Sequence, residues 1–203
     1  MSTHVRGTLQ FLQNENLRLK QELEDLQEEV VHLRLTLRAL RSLQHATMHI
    51  TAQTDVMKLL ERILNSALMS INTNDGSLML IDEEANELAF TVVHGAVSHA
   101  LVGHRIPLGT GIAGWVAANK KPVVIADVRR DPRFSSDVDQ TFRFQTRSMV
   151  CVPITTGQRV LGVIQALNKF EGKPFTDADE QIIGVVAQLA ATAILKAEEA
   201  MPE

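Results

Sequence analysis

Cysteine, tyrosine and tryptophan are nearly missing from this chain: of 203 residues one is Cys, one is Trp and none is Tyr, and all aromatics together make 4%. A single thiol, Cys151, excludes an internal disulfide framework and fits a reducing compartment. With Val150 and Val152 beside it, that thiol reads as buried and inert. No block of basic residues occurs, and 20 Lys and Arg against 24 Asp and Glu leave a net charge of −4, so neither nucleic acid nor an anionic membrane surface is a natural partner. Residues 1–8 lack the apolar centre of a secretion signal, and uninterrupted apolar runs stay short of a membrane span, so a soluble cytoplasmic protein with no membrane partner is expected. No Ser/His/Asp constellation, metal motif or pair of carboxylates in contrasting surroundings is visible, and an enzyme is not expected. His94, His99 and His104 recur five apart, a spacing that does not stack helical ligands on one face, and they read as solvated.

What is present begins with a heptad. Leu12, Leu19, Leu26, Leu33 and Leu40 recur every seven residues as position d, and position a holds Leu9, Asn16, Leu23, Val30, Leu37 and Gln44. Leucine at d with one Asn at a favours a two-stranded coiled coil, and the Asn meets its mate only when the helices are parallel and in register. Glu15 with Lys20, and Glu29 with Arg34, then form pairs between partner chains. Residues 1–46 are therefore expected to be a dimerisation helix of a parallel homodimer, roughly 54 Å long from Leu9 to Gln44. A DNA-binding zipper is excluded, since residues 1–8 offer Arg6 alone where a basic helix is required.

Residues 55–200 read as one domain, matching the single sizeable core that 45% apolar composition supports. Thr54-Asp55 can cap a helix whose apolar positions run from Val56 to Ile71, and Ser77 to Ile81 with Glu87 to Val93 read as a hairpin. Further strands are expected near 122–126, 149–155 and 159–167, with short helical or loop segments at 96–102, 111–119 and 132–141. A last amphipathic helix starts at Asp177. Thr176 caps it, and Asp177, Asp179 and Glu180 place negative charge where the helix dipole favours it. This order implies an α+β fold: a single antiparallel sheet, helices on one face, and on the other a lid of loops and short helices over a pocket. The Val56 helix and the last helix would pack side by side behind the sheet and add to the dimer interface.

Four motifs stand in order along this domain: Gly109-Thr110-Gly111-Ile112-Ala113-Gly114-Trp115-Val116, Asp131-Pro132-Arg133-Phe134, Thr146 to Pro153, and Asn168-Lys169 followed by Phe175 and Asp179-Glu180. Together they resemble the GAF domains of cyclic-nucleotide phosphodiesterases and bacterial adenylate cyclases. In that family the Lys and Asp of the last motif tie helix to sheet by a salt bridge, which implies the same for Lys169 and Asp179. The resemblance further implies a phosphate cradle at Ile112 and Ala113, and ligand contacts from Ser77, Asp139 and Thr146. Independently, the glycines around Ile112 open a helix with free backbone N–H groups, which suits an anion.

The chain departs from the family pattern at Val93-His94 in place of Phe-Asp, at Ser135 in place of an aromatic, at Phe142-Arg143-Phe144 in place of Thr-Gly-Phe, and at Gln165 in place of an acid. His94 and Gln165 are thus added to the expected ligand-binding set. Reductase relatives of the fold need further cysteines, and bilin-binding relatives a lid cysteine; neither stands here. The expected function is a dimeric signalling module that binds a small anionic ligand, a cyclic nucleotide among the options, and relays it to a downstream protein. The alternative is a ligand-free adaptor in which Phe142 fills part of the pocket.

Overall fold

In the computed structural model, which describes residues 12–23, 37, 41, 55–157 and 159–200, the chain divides into two units, Met1–Arg41 and Ser42–Glu203. In the first unit, residues 12–23 are helical, with Leu12, Asn16, Leu19 and Leu23 exposed, and Leu37 is helical and exposed as well. Arg18 Nη2 donates to Glu15 Oε1 at 2.8 Å and Arg18 Nε lies 3.7 Å from Glu22, so Glu15 is paired within its own helix. Leu26, Val30, Leu33 and Leu40 lie outside the described residues.

In the second unit the Asp55 carboxylate accepts the Lys58 N–H at 3.1 Å and opens helix α1 (Val56–Ser70). Helical spacing turns Leu59, Leu60, Ile63, Leu64, Ala67 and Leu68 inward. Strands β1 (Asp75–Asp82) and β2 (Glu87–His94) follow as a hairpin, then α2 (Ser98–Leu101), β3 (Arg105–Pro107), α3 (Gly111–Asn119) and β4 (Val123–Ile125). A 3₁₀ turn (Val128–Arg130), α4 (Asp137–Phe142), β5 (Met149–Thr156), β6 (Arg159–Leu167), a second 3₁₀ turn (Phe170–Gly172) and α5 (Asp177–Ala200) complete the unit. The six strands form one sheet in the order β3-β2-β1-β6-β5-β4, every pair antiparallel.

One element differs from expectation. Three-residue β3 is too short to show alternation, and it exists because β2 offers it an edge through Leu88 and Ile106. Of the segment 132–141, read as helical or loop, the second half is α4, and the Asp131 carboxylate, accepting the Arg133 N–H at 3.0 Å, sets a turn in the first half.

Register assigns the faces. Leu78, Ile164 and Val152 are mutual partners across three strands and face α1 and α5, as do Gly76 and Ala166. One residue along, Met79 and Val163, and then Ser77, Gln165 and Cys151, face the lid. A Cβ at Gly162 would run into the Met79 carbonyl, so only glycine lets β6 lie this close to β1. Helix α5 is long and apolar enough by composition to cross a membrane, although Gln181, Gln188 and Thr192 break its apolar runs. In the fold its Ile183, Val186, Ala187, Ala190, Ala191, Ala193 and Ile194 are buried in the domain core.

Candidate functional site

Asn168 and Lys169, adjacent at the end of β6, hold two different parts of the domain. Lys169 Nζ meets Asp179 Oδ2 at 2.6 Å, with side chains 14% and 8% exposed. The same oxygen accepts the Thr176 N–H at 2.8 Å and the Thr176 hydroxyl at 3.0 Å, while Thr176 Oγ1 accepts the Asp179 N–H at 3.3 Å. This reciprocal cap starts α5 and ties it to the sheet in one step. Phe175 is buried beneath, its ring centroid 5.9 Å from Lys169 Nζ, and Glu180 joins through its backbone N–H, donated to Thr176 O. Asn168, at φ 53°, turns the other way. Its Oδ1 accepts the N–H of Arg147 at 2.7 Å and of Ser148 at 3.4 Å, and its Nδ2 donates to Gln145 O at 2.8 Å. The segment so pinned carries Thr146.

Beneath the lid lies a cavity of about 290 Å³, near the small end of ligand pockets, which run from roughly 300 Å³ upward. Ser77, His94, Ile112, Ala113, Asp139, Thr146 and Gln165 all line it. Ser77 and Gln165 face each other in register on β1 and β6, Gln165 Nε2 donates to Ser77 Oγ at 2.9 Å, and both residues are buried. Thr146 donates its N–H at 2.8 Å and its hydroxyl at 2.7 Å to the two carboxylate oxygens of Asp139, so that carboxylate holds α4 to the pinned segment. Ile112 and Ala113 sit in the first turn of α3. Thr110 caps this helix without a side-chain hydrogen bond, which leaves first-turn N–H groups, orphaned by helix geometry, beside the cavity. Gly114 is required behind them, since a Cβ there would lie 2.7 Å from Gly109 N.

His94 is positioned less simply. Register pairs it with Gly76, on the opposite parity to Ser77 and Val93, yet at the end of β2 it still lines the cavity. Its Nε2 is buried without a hydrogen-bond partner. The solvated reading of the three histidines holds for His99 alone. His104 is half-buried and lines the cavity, its ring 6.0 Å from Phe90 and 5.1 Å, edge-on, from Phe142. Among the described residues no His, Cys, Asp or Glu group is arranged for a metal ion.

Arg105 is the one Lys or Arg among the described residues lining the cavity, and it is spent on Asp82 at 2.6 Å and Glu87 at 3.3 Å. Burial pushes the Asp75 carboxyl above its ordinary value, opposed by the Ala96 N–H and the Arg147 charge. Asp137 accepts the Ser135 hydroxyl at 2.8 Å. Outside the cavity, the Asp131 carboxylate grips Arg133 through Nε at 2.8 Å and Nη2 at 2.6 Å, and the guanidinium lies 4.3 Å from the Trp115 ring centroid. The hydrogen bonds from Arg133 hold the Asp131 carboxyl below its ordinary value. Cys151 is 0% exposed, and burial pushes its thiol far up, so it stays protonated.

Sequence reading passed over Phe90, Phe134 and Phe144 as lining residues. A signal existed: four of the seven phenylalanines in an aromatic-poor chain, Phe142 included, converge on this one cavity.

Comparison with known proteins accords with this architecture. The dual 3',5'-cyclic-AMP and -GMP phosphodiesterase 11 of Drosophila melanogaster is 28% identical over 160 residues, 72% of this chain, and the chain spans 11% of that protein's length. Among solved structures, the GAF domain of a phosphoenolpyruvate-protein phosphotransferase from Coxiella burnetii superposes with a TM-score of 0.70 at 19% identity, covering 81% of this chain and 95% of that one. A free methionine-R-sulfoxide reductase from Neisseria meningitidis, solved with its substrate, gives 0.67 at 21% identity, covering 83% and 93%. The GAF domain model matches residues 55–194, more than half the chain, and on that match this protein belongs to the GAF domain family.

Proposed function

We propose that the chain is a small-molecule-sensing module of a signalling protein, with a cyclic mononucleotide as its ligand. The observation that carries this reading is the convergence of Ser77, Ile112, Ala113, Asp139, Thr146 and Gln165 on one cavity. The α3 N-terminus beside it suits a single negative charge, and the aromatic lining suits a flat base. The phosphodiesterase relative, named for cyclic AMP and GMP, supports the same ligand class. The module is regulatory rather than catalytic: its lone cysteine is a buried, protonated thiol, unlike the thiolate that a reductase needs.

The signal leaves through a dimer. The exposed row Leu12, Leu19 and Leu23 fits a helix whose apolar seam meets a second copy in parallel. Within the domain, Asp139 on α4 is hydrogen-bonded to Thr146, whose chain neighbours Gln145 and Arg147 are bonded to Asn168, and the next residue, Lys169, pairs with Asp179 on α5. A ligand shifts this system as far as its affinities for the two lid arrangements differ.

Thermal denaturation of the full chain with cyclic mono- and dinucleotides, purines, amino acids and 2-oxo acids tests the reading. A ligand at a hundred times its dissociation constant should stabilise by about 2.7 kcal/mol. No shift with any of them would favour the ligand-free adaptor, which Phe142, packed edge-on against His104 inside the cavity, specifically supports. Sedimentation as a monomer would remove the dimer.

A further inference from the structure

Between α3 and α4 the chain borders the cavity as a short span in which Phe134, Ser135, Asp137 and Val138 all line it. Both ends are tied, and the ties are unlike. At the rear, the Asp139 carboxylate accepts the N–H of Thr146 at 2.8 Å and its hydroxyl at 2.7 Å, and Thr146 is buried. At the front, the Asp131 carboxylate grips Arg133 through the backbone N–H at 3.0 Å, Nε at 2.8 Å and Nη2 at 2.6 Å. Those bonds stay inside the segment. Among the described residues no hydrogen bond joins 131–135 to α3, and the polar link across is the Arg133 guanidinium, 4.3 Å from the centroid of the Trp115 ring. Beyond it the fit is loose: a Cβ built at Gly111 would come no nearer than 4.0 Å to Ser135. A cation over an aromatic face at a partly exposed site shifts an equilibrium about two- to fivefold, less than a pair of charge-assisted hydrogen bonds to a carboxylate. The front is the weaker end.

We infer that Arg133 on Trp115 is the catch of an entry gate: the span lifts at its front, between Ser135 and the first turn of α3, and Arg133 sets how often it does. What passes through rests on the sensing function proposed above; which end opens does not. Neither Arg133 nor Trp115 lines the cavity, so Arg133 is a positioning residue that touches no ligand. Such a catch has a kinetic mark. It holds the cavity shut whether filled or empty, so loosening it speeds entry and exit by one factor and leaves their ratio alone, whereas loss of a ligand contact speeds exit by itself. Arg133→Lys is the loosening change, since lysine keeps the charge and the stem but has no planar fork for Asp131 to fix and Trp115 to stack on.

Access is measured without ligand by placing a thiol on the buried cavity floor, Ser77→Cys, and following its reaction with methyl methanethiosulfonate in the full chain, with the wild type giving the background from buried Cys151. Adding Arg133→Lys should speed the reaction about threefold, and adding Thr146→Val, which removes the hydroxyl bond of the rear tie, should speed it less. Asp131→Asn, which loosens the same catch by another route, should act in the direction of Arg133→Lys, and circular dichroism confirms that each variant is folded. Stopped-flow mixing with adenosine and guanosine 3',5'-cyclic monophosphates should show both rate constants raised about threefold by Arg133→Lys, with the dissociation constant within about twofold of the wild type. A faster thiol reaction with Thr146→Val than with Arg133→Lys, an unchanged one with Arg133→Lys, or a gain in the exit rate alone would overturn the gate. Binding of neither nucleotide by the folded wild type would sink the ligand class, and the thiol rates would still decide the gate.

Discussion

The face of the sheet under α1 and α5 meets Ile63, Leu64, Ile183 and Val186, all 0% exposed, whereas the lid-side face buries Ser77, Gln165 and Thr146 around a cavity. The first arrangement maximises apolar burial, the dominant favourable term in folding. The second gives some of it up, since buried polar groups cost free energy unless each finds a partner. One face is built for stability and the other for recognition, and the Asn168-Lys169 dipeptide joins them by reaching into both.

That division can be broken at several points. The largest loss is expected for Leu64→Ala on the helix side, about 4 kcal/mol in urea unfolding, while Phe142→Ala in the lid should cost no more than about 1 kcal/mol because its ring already borders empty space. Similar losses for the two would show that the faces are packed alike. Next comes Lys169→Met. Removing one partner of a pair exposed only 14% and 8% leaves Asp179 with its Thr176 bonds and no countercharge, at a cost of about 3 kcal/mol.

Asn168→Ala, with three hydrogen bonds lost, should cost about 2 kcal/mol. Hydrogen exchange sharpens the contrast between neighbours: Asn168→Ala should speed exchange at residues 145–148 and spare the start of α5, and Lys169→Met should do the reverse. Matching exchange patterns would deny the dipeptide its two separate grips.

The smallest effects concern pH. The Asp131 carboxyl lies below its ordinary value of 3.8 in the folded state, so it adds stability above that value and loses it as pH falls toward the folded pKa. Asp75 lies above the same value, so its contribution is present at low pH and lost as pH rises through its folded pKa. Replacing each by Asn and following the melting temperature from pH 2.5 to 7 should flatten the acid limb for Asp131→Asn and change the slope in the opposite sense for Asp75→Asn. Two variants with the same slope would contradict these environments.

Much of the fold was legible because its signals are local. Helix α1 announced itself through the spacing from Leu59 to Leu68 and the Asp55 cap, and α3 begins where its glycines open a helix. The Thr176 cap followed from turn chemistry and charge beside a helix start, and the Lys169–Asp179 bridge was implied by the family resemblance. Strand β3 was not legible, since three residues carry no period; His94 was expected among the ligand-binding residues and lines the cavity, but the burial of its Nε2 without a partner was not legible. His104 looked solvated because nothing in its neighbourhood of the chain foretold Phe90 and Phe142 on either side.

The sequence by itself determined which segments become helix and strand, where the domain's motifs stand, and that a heptad seam precedes them, because periods of two, 3.6 and seven residues are read along the chain. Tertiary structure decided that Gln165 meets Ser77, 88 positions away, that Asp139 spends its charge on Thr146, and that a cavity remains between them. Those outcomes depend on strand register and on how side chains from distant segments fill shared space, and neither quantity is local.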